Sequence, residues 1–533
     1  MRAFSKQIAP LVLIAAALGC SSQNDSSATN AMTSVTTTAT DSATGSVPPS
    51  PVGPAQPPAV QTTAAQPQPP AAPPPTNPTP VVNPVPTPLT PAPNTNPTPG
   101  QTTSTPITPP PAPTVTTGPL GTGGGPSTTP TTPAGMGSGG DPSAPTGTGG
   151  TMGGGPDDGP QHWVGTWTAS PYLAASDAQP PMGLSGSTLR QVVHVSIGGS
   201  QLRLQLSNLS GNGPVSIKSL HLAICNATPA VDGSIDASTD TTVTFSGTEA
   251  VSIAQGMEVW SDTIDFTVPP LGNISITAAI DSVPSNLTAH AGSRTTSYVA
   301  SGSDVTAADM TSASKGDHWY FISGIDVMAP ASAFGVVAIG DSITDGRGTD
   351  TNHNNRWTDN LSARLQADPA TSNVAVMNQG IGATNLLGSG TAAVARFKRD
   401  VIDQSGVKYA IIYDGVNDIG SSGTGFDQMK GGYEQLIKAG HDAGLKVIGA
   451  TIAPFGGNSY YSAGHEQVRV QVNDYIKSGV FDGVIDFDKA LTDGGNPPKL
   501  QATFAAWSQS DGLHPGPDGY KAMGDAIDLT LFK

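Results

Sequence analysis

The pattern of hydrophobic and polar positions divides this chain of 533 residues into three regions. Residues 21–160 show no regular alternation and are rich in Thr, Pro, Ser and Ala, then in Gly from about Gly121. From Trp163 onward, apolar and polar residues alternate in short runs such as 201–206, which predicts half-buried β-strands separated by turns. Beyond about residue 332, short apolar runs alternate with segments of helical periodicity.

The last region, residues 332–533, is predicted to be an α/β domain. Five strands are expected at 334–339, 373–377, 408–413, 446–452 and within 480–487, and helices at 356–365, 391–400, 426–443, 465–476 and 518–531. Strands that alternate with helices favour a parallel five-stranded sheet with helices on both faces. Right-handed crossovers then bring the loops that follow the strands to one side of the sheet.

The middle region, residues 161–331, is predicted to be a β-sandwich or jelly roll, because many short strands are separated by turns. Its tryptophans Trp163, Trp167 and Trp260 allow two interpretations. They could form an exposed surface for sugar rings, or they could lie in the core or against the second domain. The second interpretation is favoured, since no ladder of aromatic residues is evident.

The first 160 residues are predicted to be unfolded apart from a short leader. They hold 35 of the 50 prolines, no Trp or Tyr and a single Phe, so they cannot bury enough apolar area to offset chain entropy. Residues 21–160 are therefore expected to form a disordered linker. Residues 1–20 combine Arg2 and Lys6 with the apolar run 11–18, a pattern typical of an export signal peptide.

The end of that leader, Ala17-Leu18-Gly19-Cys20, resembles the lipobox of bacterial lipoproteins. The resemblance implies that Cys20 is lipidated and becomes the new N-terminus, which would anchor the protein to a membrane. Ser21 then favours the outer membrane or the cell surface. Cleavage without lipidation, giving a secreted protein, is the alternative.

Charge and cysteine content exclude several classes of function. A net charge of −17 argues against nucleic acid or an anionic membrane as ligand and suits a neutral or weakly charged substrate, although the charge could also serve solubility alone. The chain has two cysteines, Cys20 and Cys225. Cys225 is expected to be a buried strand thiol, so neither a disulfide nor a cysteine metal site is predicted. No metal or cofactor is expected, and the protein is expected to be a monomer.

Four loops after the predicted strands carry candidate chemistry, at 341–342, 378–384, 414–418 and 511–515. Ser342 is a candidate nucleophile, but a serine hydroxyl reacts only when a base takes its proton. His514 can be that base, and Asp511, three residues earlier, can orient its ring. The amide of Ser342, an amide of the glycine-rich loop and the side chain of Asn417 are candidate oxyanion donors.

As a set, the segments 340–342, 378–384, 415–418 and 511–514 resemble the four sequence blocks of the SGNH (GDSL) hydrolase superfamily. The resemblance implies a flavodoxin-like sheet, Ser342 as nucleophile, Asp511 and His514 as the rest of the triad, and Asn417 as an oxyanion donor. In the second block Ala383 stands where glycine is usual, one residue past Gly382, so either amide is a candidate donor.

Other segments, 163–167, 340–348, 355–357 and 480–487, resemble a bacterial branch of this superfamily in which a β-domain precedes the hydrolase. That branch is similar to xylanolytic acetyl esterases and to general secreted esterases. The expected function is a secreted serine carboxylic ester hydrolase that removes acetyl groups from a polysaccharide such as acetylxylan. A lipase or arylesterase of broad specificity, an acyltransferase and a non-catalytic carbohydrate-binding surface protein are the alternatives.

Overall fold

The computed structural model describes residues 160–225 and 233–533. The predicted signal peptide with Cys20, and the predicted linker up to residue 159, lie outside the described residues. Within the described part of the chain, every helix is too short or too polar to cross a lipid bilayer.

Residues 161–330 form antiparallel sheets. The strands are β1 (Gln161–Thr168), β2 (Tyr172–Leu173), β3 (Ser187–His194), β4 (Gly199–Ser207), β5 (Val215–Ile224), β6 (Thr241–Val243), β7 (Val251–Ile253), β8 (Glu258–Trp260), β9 (Ile264–Val268), β10 (Asn273–Ser282), β11 (Thr288–His290), β12 (Ser297–Ser301), β13 (Ser314–Gly316), β14 (Trp319–Tyr320) and β15 (Ile322–Pro330). Short 3-10 helices occupy Ser176–Ala178 and Ala237–Thr239.

Two of these sheets pack face to face as a sandwich. One has the order β1-β15-β4-β8, with β9 also paired to β4, and the other has the order β13-β12-β3-β10-β5-β6, with β7 also paired to β5. A small third sheet joins β14, β11 and β2. The alternation along β4 buries Leu202 and Leu204, which share one core with Leu222 of β5 and Ile276 of β10. The predicted β-sandwich is confirmed.

The three tryptophans singled out in this region are not free aromatic platforms. Trp167 is buried and lies edge-on against Trp319, with ring centres 4.9 Å apart. Trp163 and Trp260 are half-buried on either side of Arg203, whose guanidinium carbon lies 4.8 Å and 4.4 Å from their ring centres. The interpretation as core and packing residues is therefore confirmed for Trp167, and Cys225 is buried as expected.

Residues 334–532 alternate between strands and helices. The elements are β16 (Phe334–Gly340), α1 (Ser342–Asp345), α2 (Trp357–Ala367), β17 (Val374–Gly380), α3 (Ala393–Phe397), β18 (Val407–Tyr413), α4 (Val416–Gly420), α5 (Phe426–Asp442), β19 (Lys446–Ala450), α6 (Ala463–Tyr475), β20 (Gly483–Ile485), α7 (Phe487–Leu491) and α8 (Pro517–Asp525). π-helical turns follow α3 and α6 at Lys398–Ile402 and Ile476–Val480, and a 3-10 helix spans Leu529–Phe532.

The five strands of this region form one parallel sheet in the order β17-β16-β18-β19-β20. Successive residues of β16 enter different cores: Val336 packs into one hydrophobic cluster and Val337 into another. Helices thus cover both faces, as a parallel sheet requires. The predicted flavodoxin-like fold is confirmed.

The predicted ends of strand β17 and of the last helix are wrong. Strand β17 continues to Gly380 instead of ending at Met377, so the loop expected at 378–384 begins at Ile381. Polar Asn378 and Gln379 stay in the strand because both are satisfied: Asn378 Nδ2 donates to Thr344 O at 2.7 Å, and Gln379 Oε1 accepts from a serine of the β-domain. The last helix ends at Asp525, since Asp528 caps a separate 3-10 turn.

The β-domain covers the edge strand β17. Strand β1 runs so close that a Cβ at Gly165 would lie 2.3 Å from Met377 Sδ. The backbone N–H of Val376 donates to Ser196 Oγ at 3.0 Å. An exposed strand edge is a template for unwanted pairing, and covering it removes that hazard. The division at residues 331 and 332 falls between β15 and β16, and the domain boundaries stay predictions.

Helices α2 and α8 pack so closely that a Cβ at Gly524 would lie 2.5 Å from the Cβ of Asn360. We expect Gly524→Ala to lower the free energy of unfolding by about 1–3 kcal/mol, because Cβ atoms next to the backbone cannot move aside. Gly431→Ala is the matched control: this helical glycine of α5 has open space around it, so alanine should stabilise by about 0.5–1 kcal/mol. Urea denaturation of both variants measures the difference, and equal shifts would contradict the packing argument.

Candidate active site

Three strand ends lie at the same level of the sheet. Gly340 of β16 pairs with Gly380 of β17 and with Tyr413 of β18. The loops that follow these strands therefore start side by side at the carboxyl edge, where open α/β sheets hold their reactive groups. Ser342 follows two residues after its strand, and Asn417 follows four residues after its own.

Ser342, His514 and Asp511 form a continuous hydrogen-bonded chain. Ser342 Oγ lies 2.7 Å from His514 Nε2, and His514 Nδ1 lies 2.7 Å from Asp511 Oδ2. An ionised carboxylate only accepts, so Nδ1 carries the ring proton and Nε2 is left to accept the serine hydroxyl. The three residues that the sequence predicted as a triad are thus brought together in the orientation that a serine nucleophile needs.

A tight turn fixes the relation of Asp511 to His514. The Oδ1 atom of Asp511 accepts the backbone N–H of His514 at 2.9 Å, while Oδ2 takes the ring. Gly512 has a φ of +72°, and a Cβ there would lie 2.5 Å from the carbonyl oxygen of Gly457. Glycine is required by both the backbone angle and the close approach, which explains the spacing of the acid and the base.

The electrostatics of the pair keep His514 in its basic form. Burial alone would raise the pKa of Asp511, but its hydrogen bonds and the charge of His514 hold that pKa well below its usual range. Burial lowers the pKa of His514, the charges of Arg347 and Arg294 act in the same direction, and Asp511 offsets only part of the shift. His514 is therefore largely neutral at neutral pH and can take a proton from Ser342.

Ser342 is the first residue of the one-turn helix α1. The side chain of Asp341 caps this helix by accepting the N–H of Ile343 at 2.8 Å. The first N–H groups of a helix have no partner within the helix. Among the described residues, the N–H of Ser342 donates to neither a backbone carbonyl nor a side chain, so it is free to bind a developing oxyanion.

Ala383 adopts the left-handed conformation that glycine usually fills, with a φ of +59°. Gly382, one residue earlier, is not among the glycines of positive φ. The unusual backbone angle therefore falls on the alanine, at a strain of about 1 kcal/mol that the exposed loop tolerates. Both residues are exposed, and both amides remain candidate oxyanion donors.

The side chain of Asn417 is held in one orientation from both ends. Its Nδ2 donates to Thr384 O at 2.8 Å, and its Oδ1 accepts the hydroxyl of Tyr460 at 3.0 Å. An amide nitrogen carries two hydrogens, so one N–H remains for an oxyanion. The hydroxyl of Tyr460 donates to the amide oxygen and thereby fixes the orientation of the Asn417 side chain, so Tyr460 is a positioning residue. The sequence gave no sign of this contact.

Two further residues that arrange the loops were missed. Asp418, inside the third sequence block, accepts the backbone N–H groups of Leu386 and Leu387 at 2.7 and 3.0 Å and so clamps the loop that carries Ala383. Arg396 of α3 donates to the carbonyl oxygen of Gly340 at 2.9 Å, and to that of Gln379 at 2.5 Å. Its position in a helix after the second loop offered no signal, whereas Asp418 lay within a recognisable motif.

Three buried carboxyl groups lie behind the loops. Burial, with the charge of Asp418 nearby, raises the pKa of Asp341 to about 7. Burial also raises the pKa of Asp414, and the charge of Asp341 raises it further. Burial raises the pKa of Asp418 as well. Because a raised pKa favours the neutral form of a carboxyl group, these shifts limit the negative charge behind Ser342. That arrangement favours a site in which a second negative charge must develop on the substrate.

The family comparison agrees with this geometry. Residues 338–522, which contain all four loops, match the model of the GDSL-like lipase/acylhydrolase family. This domain belongs to that family. The protein is accordingly a carboxylic ester hydrolase of the GDSL type. A comparison with curated protein sequences gave no match.

Among solved structures, this chain is similar to a GDSL-like lipase from Bacteroides thetaiotaomicron, with 19% identity over 37% of this chain and 87% of that one, and a TM-score of 0.28. The aryl esterase of M. smegmatis is 16% identical over 36% of this chain and 96% of that one, with a TM-score of 0.29. A carbohydrate acetylesterase family member from Sinorhizobium meliloti is 14% identical over 37% of this chain and 97% of that one, also with a TM-score of 0.29.

We expect Tyr460→Phe to lower kcat about 10-fold while KM for a small ester stays within about twofold. The reason is that the variant keeps the ring but frees Asn417 to turn its N–H away from the oxyanion. Tyr461→Phe is the matched control, since Tyr461 is a similarly half-buried neighbour. Steady-state kinetics with p-nitrophenyl acetate measure the effect. A rise in KM with unchanged kcat would instead make Tyr460 a substrate contact.

Proposed function

We propose that Ser342, His514 and Asp511 hydrolyse carboxylic esters through an acyl-enzyme. The observation that carries this proposal is the unbroken chain of hydrogen bonds from Asp511 through His514 to Ser342, each 2.7 Å long. It lies at the edge of the sheet where the two candidate oxyanion loops also begin. A nucleophile, an oriented base and unengaged donors in one place are the parts that acyl transfer requires.

In the first step Ser342 Oγ attacks the ester carbonyl carbon while His514 Nε2 takes the hydroxyl proton. Asp511 stabilises the resulting imidazolium. The oxyanion accepts hydrogen bonds from the amide of Ser342, from an amide of the 382–383 loop and from Nδ2 of Asn417. His514 then protonates the leaving alcohol, and water, activated by the same histidine, releases the carboxylic acid and restores the serine.

The proposed substrate is an acetylated polysaccharide, as in acetylxylan. One support is the openness of the site: the side chain of Asp511 is 30% exposed although it belongs to the triad. Another is the pair of half-buried aromatic residues at its rim, Tyr460 beside Asn417 and Trp507, whose indole N–H donates to His514 O at 3.0 Å. Aromatic faces with a polar edge suit sugar rings, and the net charge of −17 suits a neutral polymer.

The preference for acetyl groups rests on the sequence resemblance of 163–167 and 480–487 to xylanolytic acetyl esterases. We also propose export, on the basis of Arg2, Lys6 and the apolar run 11–18, and a lipid anchor at Cys20, on the basis of the resemblance of 17–20 to a lipobox. The long segment between the anchor and the folded domains would let the enzyme reach a polymer away from the membrane.

The test uses purified protein, a fluorophosphonate probe and three substrates: p-nitrophenyl acetate, p-nitrophenyl palmitate and acetylated xylan. We expect labelling at Ser342, turnover of the short ester and release of acetate from the polymer, all abolished in Ser342→Ala with an unchanged unfolding curve. Preference for the palmitate would identify a lipase and overturn the deacetylase proposal. Absence of labelling at Ser342 would remove the nucleophile itself.

The pH profile should reflect the lowered pKa of His514. Only neutral His514 accepts a proton, so kcat/KM should rise as pH rises through the pKa of that ring in the free enzyme. The ordinary pKa of histidine is about 6.5. Because burial, Arg347 and Arg294 lower the pKa of His514, half-maximal kcat/KM is expected at a pH below that value. Asp511→Asn removes the charge that opposes the shift and should move the acid limb lower still. A midpoint above 6.5 in the wild type would contradict the assignment.

A further inference from the structure

The β-domain reaches the back of the helix that carries Ser342. His290, at the end of β11, places Nε2 at 2.9 Å from Oδ1 of Asp345, the last residue of α1, and Nδ1 at 2.9 Å from the carbonyl oxygen of Ser170. The side chains of His290 and Asp345 are only 5% and 3% exposed. The two ring nitrogens of His290 thus bridge a backbone oxygen of the β-domain and the carboxylate at the end of helix α1.

Asp345 is held firmly in its ionised form. Burial alone would raise its pKa, but His290, Arg294 and Arg356 outweigh burial and lower it. Arg356 also donates to the backbone oxygen of Asp345 at 2.8 Å and reaches back to the β-domain at Ser293 O, 2.5 Å away. A charge buried this deeply needs partners of good geometry, and the partners come from both domains.

The same stretch of the β-domain also contacts the strand that leads into the second active-site loop. Ser170, whose carbonyl oxygen binds His290, has its Oγ 2.6 Å from Gln379 Oε1 and 2.7 Å from Asp400 Oδ2. Arg396 donates to this Oγ at 3.1 Å and to Asp400 at 3.0 Å. Arg396 in turn holds the carbonyl oxygens that precede Ser342 and the oxyanion loop. Ser170 thus belongs to one buried polar network with the ends of β16 and β17.

Helix α1 has a particular need for such support. It has four residues, Ser342–Asp345, and so forms only one turn. A single helical turn is not stable by itself, because nucleation fixes several residues for one hydrogen bond. Its position is decided by what holds its two ends: the cap of Asp341 at the start, and Asp345 with its partners at the finish.

We propose that the β-domain is a positioning part of the active site, in which His290 fixes helix α1 and Ser170 fixes the arginine network beneath the oxyanion loop. This inference rests on the proposed function, since what it positions is the nucleophile of ester hydrolysis. It gives the β-domain a role in the chemical step, in contrast to a sugar-binding module that could be removed without changing the turnover of a small ester.

A second polar contact between the domains, at the opposite end of the sheet, serves as a control. It distinguishes a loss of interface stability from a loss of active-site positioning. Ser405 precedes β18, at the amino end of the strands. Its Oγ donates to Asp326 of β15 at 2.7 Å and accepts from Arg203 of β4 at 3.1 Å. Ser405→Ala therefore weakens the contact between the domains without touching α1 or the loops.

The experiment compares His290→Gln, Ser170→Ala and Ser405→Ala in the full-length protein. For each variant, kcat and KM for p-nitrophenyl acetate, the rate of fluorophosphonate labelling at Ser342 and the thermal unfolding midpoint are measured. Since a misplacement of about 1 Å costs about 100-fold in rate, we expect kcat and labelling to fall about 10–100-fold in His290→Gln and about 3–10-fold in Ser170→Ala, with KM within about twofold. Ser405→Ala should keep the wild-type kcat.

Equal kcat and labelling rates in His290→Gln, Ser170→Ala and Ser405→Ala, at a temperature where all are folded, would overturn the positioning role. Should His290→Gln fail to fold, Ser170→Ala decides alone, since it removes a single oxygen atom. A wild-type protein that does not label at Ser342 would instead refute the proposed nucleophile. If the wild type is labelled at Ser342 and the variants keep its kcat and labelling rate, only the positioning role is refuted. Failure of the positioning role is therefore distinguishable from failure of the proposed nucleophile.

Discussion

The buried guanidinium of Arg396 is the interaction on which the rest of the site depends. A cation that is 2% exposed must have every donor satisfied, and its partners besides the nearby Thr391 O are Gly340 O, Gln379 O, Asp400 and Ser170 Oγ. These partners belong to the strand before the nucleophile, the strand before the oxyanion loop, the turn after α3 and the β-domain. One charge thereby joins four segments of the chain, because leaving any of its hydrogen bonds unmade in a buried site is unfavourable.

The junction between the two domains includes several buried polar contacts. The contacts of Ser196, Ser170 and His290 with β17, Asp400 and α1 are hydrogen bonds between buried groups. Apolar surfaces can slide and repack, whereas buried polar groups tolerate only arrangements that satisfy them. Such an interface contributes modestly to net stability but selects one relative placement of the β-domain and the sheet. That property suits a role in positioning the loops of an esterase.

The candidate catalytic residues combine local and distant constraints. Asp511 and His514 are three residues apart, and their geometry is set within one turn, with Gly512 supplying the backbone angle. Ser342 and Asn417 depend on remote partners: α1 ends in a pair with the β-domain, and Asn417 is turned by Tyr460, 43 residues later. The geometry of the proposed acid and base is therefore set locally, while that of the proposed nucleophile and oxyanion donor depends on the assembled fold. The positive φ of Ala383 is likewise maintained by a remote partner, because Asp418 accepts a backbone N–H of the loop that carries Ala383.

The sequence by itself determined the parallel sheet, the β-sandwich and the identity of Ser342, Asn417, Asp511 and His514 as candidates, because periodicity and short motifs report local preferences and the common edge of parallel strands. It misjudged the end of β17, where Asn378 and Gln379 look like loop residues until their partners in α1 and the β-domain are present. It gave no sign of His290 or Arg396. Their partners lie 55 residues away for His290–Asp345 and 226 for Arg396–Ser170. Only the tertiary structure brings such groups together, since a polar side chain shows its role only when its buried partner is known.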